Sequence, residues 1–532
     1  MRLTADRGLP DDLGHDLPNR EHPHLVTPET RADDRALAEV LSSFFSSPPD
    51  SPADLHDAVA DFAVHPTRRA LNPWPGFNRE WARHTGQWLV RHGTNDPAVW
   101  LGLGLLGKSG TAEDADLIRT TACRQRLTRP AIEALSAIGD TDQDLLWLAD
   151  RIDLTDRPRL NALLRAMCAQ PTLAVREWLL RNETVDLYRY HARELADALD
   201  LPTALAAVHP DEREVGLAAW ILPYLVGDHE PYPATISCYE MTSVHLGGIP
   251  PTLARYAAAA SLVEELVSGN SVHLNWAGGQ RERIMARLRR VLASAPWRET
   301  LRQAENSSDE AVRWRADWAS HLPEPTGGEI EIRVVVSDPL GGYGVQTRLL
   351  VDGRPVVTRV FPNSRGEDPD RLIGRLSPRD PPGEVRLAEA ECVEACCGAV
   401  YVTPVRDGDF VVWRDWRCPN DSDRPEYRFS AVAYEAEIAR AERERGWEWP
   451  GRVVARLVRS AVEADPTLLG RWGYAFDFVE SLSCERDKVR FVFRRSTHEQ
   501  SLWLIDVLDI PLEEQVAGFL SALRCVDPRT LA

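Results

Sequence analysis

The run Pro130-Ala131-Ile132-Glu133-Ala134-Leu135-Ser136-Ala137-Ile138-Gly139-Asp140, with the two segments after it, decides the fold. Ile132, Leu135 and Ile138 share one face, and Gly139-Asp140 breaks the helix. Leu145, Leu148 and Ile152 resume the pattern, and the stretch through Pro158 breaks it again. Leu160, Leu163, Leu164 and Met167 then fall at i, i+3, i+4 and i+7 before Pro171 intervenes. This spacing lays one apolar stripe along each short helix. Helices this short are marginal alone, so each must bury its stripe on neighbours. Stacked antiparallel pairs do that.

Similar segments lie on both sides. Arg31 to Phe45 and Pro52 to Val64 read as helices, the second with Ser51 at its N-cap and Pro52 at its first position. Asn72-Pro73-Trp74-Pro75-Gly76 reads as a loop. Helices resume at Asp211 to Val226, Thr252 to Val267 and Gln280 to Ala293, the last with Ile284, Leu288, Val291 and Leu292 as its stripe. Gly227 to Pro251 breaks the period and is expected to be an inserted loop. Residues 1–30 are rich in Asp, Pro, His and Arg and are expected to form a disordered tail, with His15, His22 and His24 as solvated polar residues.

At Leu322-Pro323-Glu324-Pro325-Thr326-Gly327-Gly328 the character changes. Ile330, Ile332, Val334 and Val336 alternate as in a strand. Leu349 to Val357 is a hairpin turning at Asp352-Gly353, and a second runs from Ala399 to Trp416 around Asp407-Gly408-Asp409. Helices are expected over Ala433 to Arg445, Arg452 to Glu463 and Leu512 to Leu523. Strands are expected over Phe476 to Leu482, Val489 to Arg494 and Leu502 to Val507. The expected fold class is an α-solenoid of helical hairpins followed by an α+β domain with a mainly antiparallel sheet. The domains read as a tail at 1–30, a helical domain at 31–322, a linker at 323–329 and an α+β domain at 330–532.

The 532-residue length calls for more than one folded unit, and 43% hydrophobic residues with 17 Trp suit packed cores. The longest apolar candidate, Val215 to Val226, is too short to span a bilayer and contains Pro223. No basic stretch precedes an apolar core at the N-terminus, so a cytoplasmic protein is expected. Net charge of −19 opposes binding to nucleic acid phosphates and suits a basic partner. Lys108 and Lys488 are the only lysines, and the nine Cys are mostly scattered. A disulfide framework is not expected in a large cytoplasmic chain.

Two motifs carry possible chemistry. Gly102-Leu103-Gly104-Leu105-Leu106-Gly107-Lys108-Ser109 matches the P-loop pattern letter for letter. In a P-loop, Gly102 and Gly107 would let backbone N–H groups wrap phosphates, Lys108 would reach the terminal phosphates and Ser109 would hold Mg²⁺. Such a loop follows a strand and launches a long helix. Here Asp96-Pro97 reads as a helix start, and Thr111 with Asp114 reads as a cap opening the next helix. Gly107 to Gly110 is therefore expected to be a turn between two helices. The second motif is Cys392, Cys396 and Cys397, with Cys418 a hairpin later. The first spacing suits a zinc knuckle, but a second pair is missing, and adjacent cysteines on a strand would face opposite ways. Core packing is the expectation for Trp413, Trp416, Trp447, Trp449 and Trp472, with an aromatic ligand pocket as the alternative. His84, His92 and His273 show no ligand spacing.

From Asp96 to Leu322 the chain resembles HEAT-repeat-like α-solenoid proteins of bacteria, through Pro130 to Ile138 with Asp144 to Arg151 and through Trp178-Leu179-Leu180-Arg181. The run Cys396 to Thr403, with Val411 to Trp416, is similar to a module of uncharacterised bacterial proteins. The first resemblance implies binding of another protein. The expected function is a non-enzymatic interaction protein with a second binding domain, one version being immunity-type neutralisation of a basic toxin. No cofactor, nucleic acid or membrane is expected. The alternatives are nucleotide binding through Gly102, Gly107, Lys108 and Ser109, or metal and redox chemistry at Cys392, Cys396, Cys397 and Cys418.

Overall fold

The computed structural model describes residues 28–46, 51–60, 78–139, 142–152, 156–181, 186–226, 232–324, 328–341, 344–362, 364–390, 397–419, 426–496 and 499–530. Residues 1–27 of the expected tail, the Asn72 to Gly76 loop, Asp140, 325–327 of the linker, and Cys392 and Cys396 lie outside the described residues. The described residues form two compact units, one up to Ala204 and one from Leu205 onward. Helices dominate the N-terminal part, and antiparallel sheets follow. Among the described residues no helix is long and apolar enough to cross a membrane.

The first unit holds α1 (Pro28–Ser46), α2 (Pro52–Val59), α3 (Arg79–His92), α4 (Asp96–Ser109), α5 (Ala115–Ala122), α6 (Thr128–Ile138), α7 (Asp142–Ala149), α8 (Arg157–Ala169), α9 (Leu173–Arg181) and α10 (Ala192–Ala198), and α11 (Leu201–Ala206) meets its boundary. Their starts carry the expected chemistry. The Ser51 hydroxyl accepts from Ala53 N–H at 3.3 Å, and Asn95 Oδ1 accepts from Ala98 N–H at 2.9 Å. Each cap satisfies a backbone donor that the helix leaves orphaned. The α8 stripe, Leu160, Leu163, Leu164 and Met167, is wholly buried. Packing is successive along two series: α4, α6, α8 and α10 pack in turn, as do α3, α5, α7 and α9, while α3–α4, α5–α6 and α7–α8 pair across.

Two ion pairs tie successive members of the second series. Arg83 on α3 donates from Nε to Asp114 Oδ2 at 2.6 Å, just before α5 begins. Arg119 on α5 donates to Asp144 on α7 at 2.9 Å. Asp114 is buried, which by itself would raise its pKa. The Arg83 hydrogen bond, helped by Thr111 N–H and Gln87, outweighs burial and holds it below the usual carboxylate range.

The second unit opens with α12 (Glu212–Ile221), α13 (Thr235–His245), α14 (Leu253–Ser268), α15 (Gln280–Leu292), α16 (Ala295–Glu305) and α17 (Glu310–Ser320). The α13 helix corrects the expected Gly227 to Pro251 loop, of which residues 227–231 are not described. Its buried face is Thr235, Cys238, Tyr239, Thr242 and Ser243, a helical spacing made of small, polar or aromatic side chains. A stripe sought among aliphatic residues misses it. At the centre, α14 packs on α12, α15, α16 and α17, and its Ala257 to Ala260 run is buried.

Three antiparallel sheets follow, in the strand orders β1-β2-β3, β4-β5-β6-β7-β8 and β11-β10-β9. The first contains β1 (Ile330–Val336), β2 (Val345–Val351) and β3 (Arg354–Pro355), the last two joined at Asp352-Gly353 with φ of 50° and 69°. Positive φ at both positions is what an Asp-Gly hairpin turn supplies. Ile330, Ile332 and Leu349 enter an apolar core with the five-stranded sheet, β4 (Ser364–Gly366), β5 (Val385–Ala390), β6 (Ala399–Asp407), β7 (Phe410–Arg417) and β8 (Tyr427–Ser430), and with the helix α18 (Ala431–Arg443). Side chains of α18 cover the β1 edge: Glu437 Oε1 accepts from Ile332 N–H at 2.6 Å, and Arg440 donates to the Ile332 carbonyl at 2.8 Å. Such cover removes a template for edge-to-edge pairing. The last sheet, β9 (Ala475–Glu480), β10 (Lys488–Ser496) and β11 (Glu499–Asp506), shares a core with α19 (Pro450–Ala464) and α20 (Leu512–Cys525).

Residues 323, 324, 328 and 329 lie inside the second unit. Several bonds join the helices before them to the strands after. Buried Arg315 donates to Asp338 at 2.7, 3.0 and 3.1 Å. Trp318 Nε1–H donates to the Val336 carbonyl at 2.8 Å, and Asn270 donates to the Pro362 carbonyl at 3.2 Å.

Candidate functional site

The P-loop letters lie on a helix. The α4 helix runs unbroken from Asp96 to Ser109, which corrects the expected turn at Gly107 to Gly110; only Gly110 follows the helix. Its glycines serve close packing. A Cβ on Gly102 would stand 2.8 Å from Leu89 Cβ and 3.0 Å from the Gly86 carbonyl oxygen of α3. One on Gly107 would stand 3.3 Å from Ala134 Cα of α6. The Ser109 hydroxyl donates to the Leu105 carbonyl at 2.7 Å and is buried. Lys108 is exposed in the last turn, and its carbonyl accepts from Arg79 at 3.2 Å. Backbone N–H groups inside a helix bond within the helix, so this segment has no converging amides for a phosphate. Thr111 N–H donates to Asp114 Oδ2 at 2.9 Å, within the expected Thr111–Asp114 capping box.

Of the four motif cysteines, Cys397 and Cys418 are described and half-buried, packed against the core of the five-stranded sheet. Gly398, at φ 95°, adjoins Pro419, and this brings the β6 entry and the β7 exit together. Among the described residues no group of three or more His, Cys, Asp or Glu side chains could hold a metal. Trp413, Trp416 and Trp449 are buried, and Trp472 packs against the core under the last sheet. Trp447 is half-buried, with the Arg452 and Arg445 guanidinium groups 4.9 and 5.5 Å from its ring.

A cavity of about 600 Å³ lies in the second unit, between the α14–α15 connection and the β1–β3 sheet. Its apolar lining includes Leu266, Val272, Met285, Leu350 and Trp276. Alternation along the strands creates the sheet wall: Ile330 and Ile332 point to the core, so Glu331 and Arg333 face the other way. Glu331 accepts from Arg333 at 2.6 and 3.0 Å, and Arg333 also donates to the Glu324 carbonyl at 2.8 Å, so this pair is fixed. Asp352 and Arg354, both exposed, flank Gly353 at the hairpin turn. Arg281 and Glu282 line the opposite side from the first turn of α15.

His273 sits in this wall, and its Nε2 lies 2.9 Å from the Pro355 carbonyl, where it donates. Burial lowers its pKa, so the imidazole is neutral near pH 7 and Nδ1 is left as an acceptor. Trp276 donates its indole N–H to the Ser271 carbonyl at 2.7 Å and meets the Tyr239 ring edge-on at 5.7 Å between centroids. Directly behind the wall lies Glu265, which accepts from Ser271 N–H at 3.0 Å and sits 3.7 Å from the Arg348 guanidinium. Burial pushes its carboxyl up to about 7, against the pull of Arg348. Arg348 also donates to Ser268 at 3.0 Å. Helix α14 and strand β2 are thus joined through Arg348 by charge and by a hydrogen bond.

None of these cavity residues forms a spaced motif. In the sequence His273 is a solitary histidine and Asp352-Gly353 is a turn. The chain matches no protein-family model, no curated protein and no solved structure.

Proposed function

We propose that the chain is a protein-interaction protein whose first unit is a HEAT-like α-solenoid. The observation that carries this reading is the packing order of α3 to α10, in two series linked by cross-pairs. In a solenoid each repeat contacts its neighbours and leaves an extended surface for a partner. The Arg83–Asp114 and Arg119–Asp144 pairs support it further, since each holds one member of a series against the next.

The chemistry of the α5–α9 surface also favours protein binding. Trp147 of α7 is half-buried, with Arg151 and Arg119 guanidinium groups 3.9 and 5.1 Å from its ring. Leu173, at the start of α9, is 83% exposed. Trp and Arg are enriched where proteins meet, and aromatic anchors carry much of the binding energy. The net charge of −19 suits a basic partner, as neutralisation of a basic toxin would require.

The test is native co-purification of the full chain from its host, followed by hydrogen exchange with and without the recovered partner. Protection is expected on α5, α7 and α9. Trp147→Ala with Leu173→Asp should weaken binding at least ~10-fold, as loss of an interface anchor does. Unchanged affinity in that variant, with protection confined to other elements, refutes the reading.

A further inference from the structure

We propose that the cavity between the α14–α15 connection and the β1–β3 sheet binds a peptide-like zwitterion: an apolar body carrying an ammonium group and a carboxylate. Its volume of about 600 Å³ falls in the range of small-ligand sites. Two features of the lining select the ligand. Val272, Met285 and the half-buried Trp276, whose N–H is already committed to Ser271, give a mainly polar lining one small apolar patch. Such a patch takes one face of an aliphatic or aromatic side chain.

The charged rim decides the rest. Arg281, Arg333 and Arg354 stand against Glu282, Glu331 and Asp352, and His273 is neutral. The signs balance. A polyanion such as a nucleotide would meet three carboxylates, and a polycation would meet three guanidinium groups. A ligand with one charge of each sign, held apart by an apolar body, meets a complementary group for each. The fixed Glu331–Arg333 pair supplies a rigid wall. Asp352 and Arg354, exposed on either side of Gly353, can turn to an ammonium and a carboxylate. A neutral His273 adds an acceptor that does not repel the ammonium.

Two sources share this chemistry, a free amino acid and the terminus of a short peptide. Calorimetric titration of the full chain with L-phenylalanine and with the tripeptide Leu-Phe-Leu separates them. Tighter binding of the tripeptide identifies a peptide, and equal or tighter binding of phenylalanine identifies a free amino acid. Acetylated and amidated Leu-Phe-Leu, which lacks both charges, should bind at least ~10-fold more weakly, the loss expected when a charge-assisted contact is removed. Asp352→Asn and Arg354→Gln should each weaken the uncapped probe while leaving the melting temperature unchanged, because both side chains are exposed. The inference is overturned if neither phenylalanine nor the tripeptide binds at millimolar concentration. It is overturned equally if the capped peptide binds as well, if both variants bind like wild type, or if ATP binds more tightly than the zwitterions.

Discussion

Replacing Gly102 by Ala tests what the glycines of α4 are for. In an isolated helix the change would stabilise by about 1 kcal/mol, because glycine is the poorer helix former. Here the new methyl would meet Leu89 Cβ at 2.8 Å, the Gly86 carbonyl oxygen at 3.0 Å and Val90 Cγ2 at 3.0 Å. The first two neighbours are a backbone oxygen and a carbon bonded to the backbone, so neither can swing aside. The α3 and α4 helices must separate. Overpacking of this kind costs about 1–3 kcal/mol, and the rigidity of these neighbours places it in the upper half. The net expectation is destabilisation by about 1–2 kcal/mol, obtained by setting the overpacking cost against the helix gain. For a unit of this size that is a fall of about 2–8 °C in Tm. Calorimetric melting of the full chain measures it, with Lys108→Ala, exposed on the same helix, as the control. A Gly102→Ala protein that melts at or above wild type would refute the packing argument. If Mg-ATP raises the wild-type Tm and leaves that of the variant unchanged, the phosphate reading returns.

Leu163 is wholly buried on α8, so Leu163→Ala should destabilise by about 2–5 kcal/mol; an unchanged urea midpoint would show the stripe misplaced. Gly518 is exposed within α20, and a Cβ there would meet nothing within 4 Å, so Gly518→Ala should stabilise by about 0.5–1 kcal/mol in the same assay. Glu265 has a folded pKa of about 7, above its ordinary value of 4.5, so the folded state holds the proton more tightly. Its contribution is full below pH 4.5 and is lost as pH rises through 7. Glu265→Gln should therefore gain on wild type by roughly 3 kcal/mol between acid and alkaline pH, and parallel stability profiles of the two proteins would refute this.

Much of the local structure is legible because its signals are local. The β1 alternation from Ile330 to Val336, the Asp352-Gly353 turn and the α8 stripe all report their own backbone period. Helix α13 is not legible in the same way. Its buried face is Thr235, Cys238, Tyr239, Thr242 and Ser243, which hydropathy hardly distinguishes from a surface. The glycines of α4 fail for a different reason. Glycine permits close approach to a backbone, and the letters do not say whether a phosphate or another helix approaches. Only the position of Gly86, sixteen residues earlier by numbering and opposite Gly102 in space, decides between them.

The cavity is the least legible part, and the cause lies in how it is assembled. One wall comes from residues 266–285 and the other from residues 331–354. Within each segment the charged residues have ordinary local explanations. Arg333 pairs with Glu331 two positions away, and Asp352 begins a turn. What turns them into a site is the long-range attachment of α14 to the sheet, through Arg348 with Ser268, Glu264 and Glu265, and through His273 with Pro355. The same attachments account for the unit that begins at Leu205, while the change of sequence period near residue 329 marks where strands begin. A single sequence records periods and caps directly. It records a pairing such as Arg348 with Glu265 only as one more arginine and one more glutamate. A change at Arg348 should therefore disturb ligand binding at the cavity and the docking of α14 together, whereas a change at Arg354 should affect binding alone.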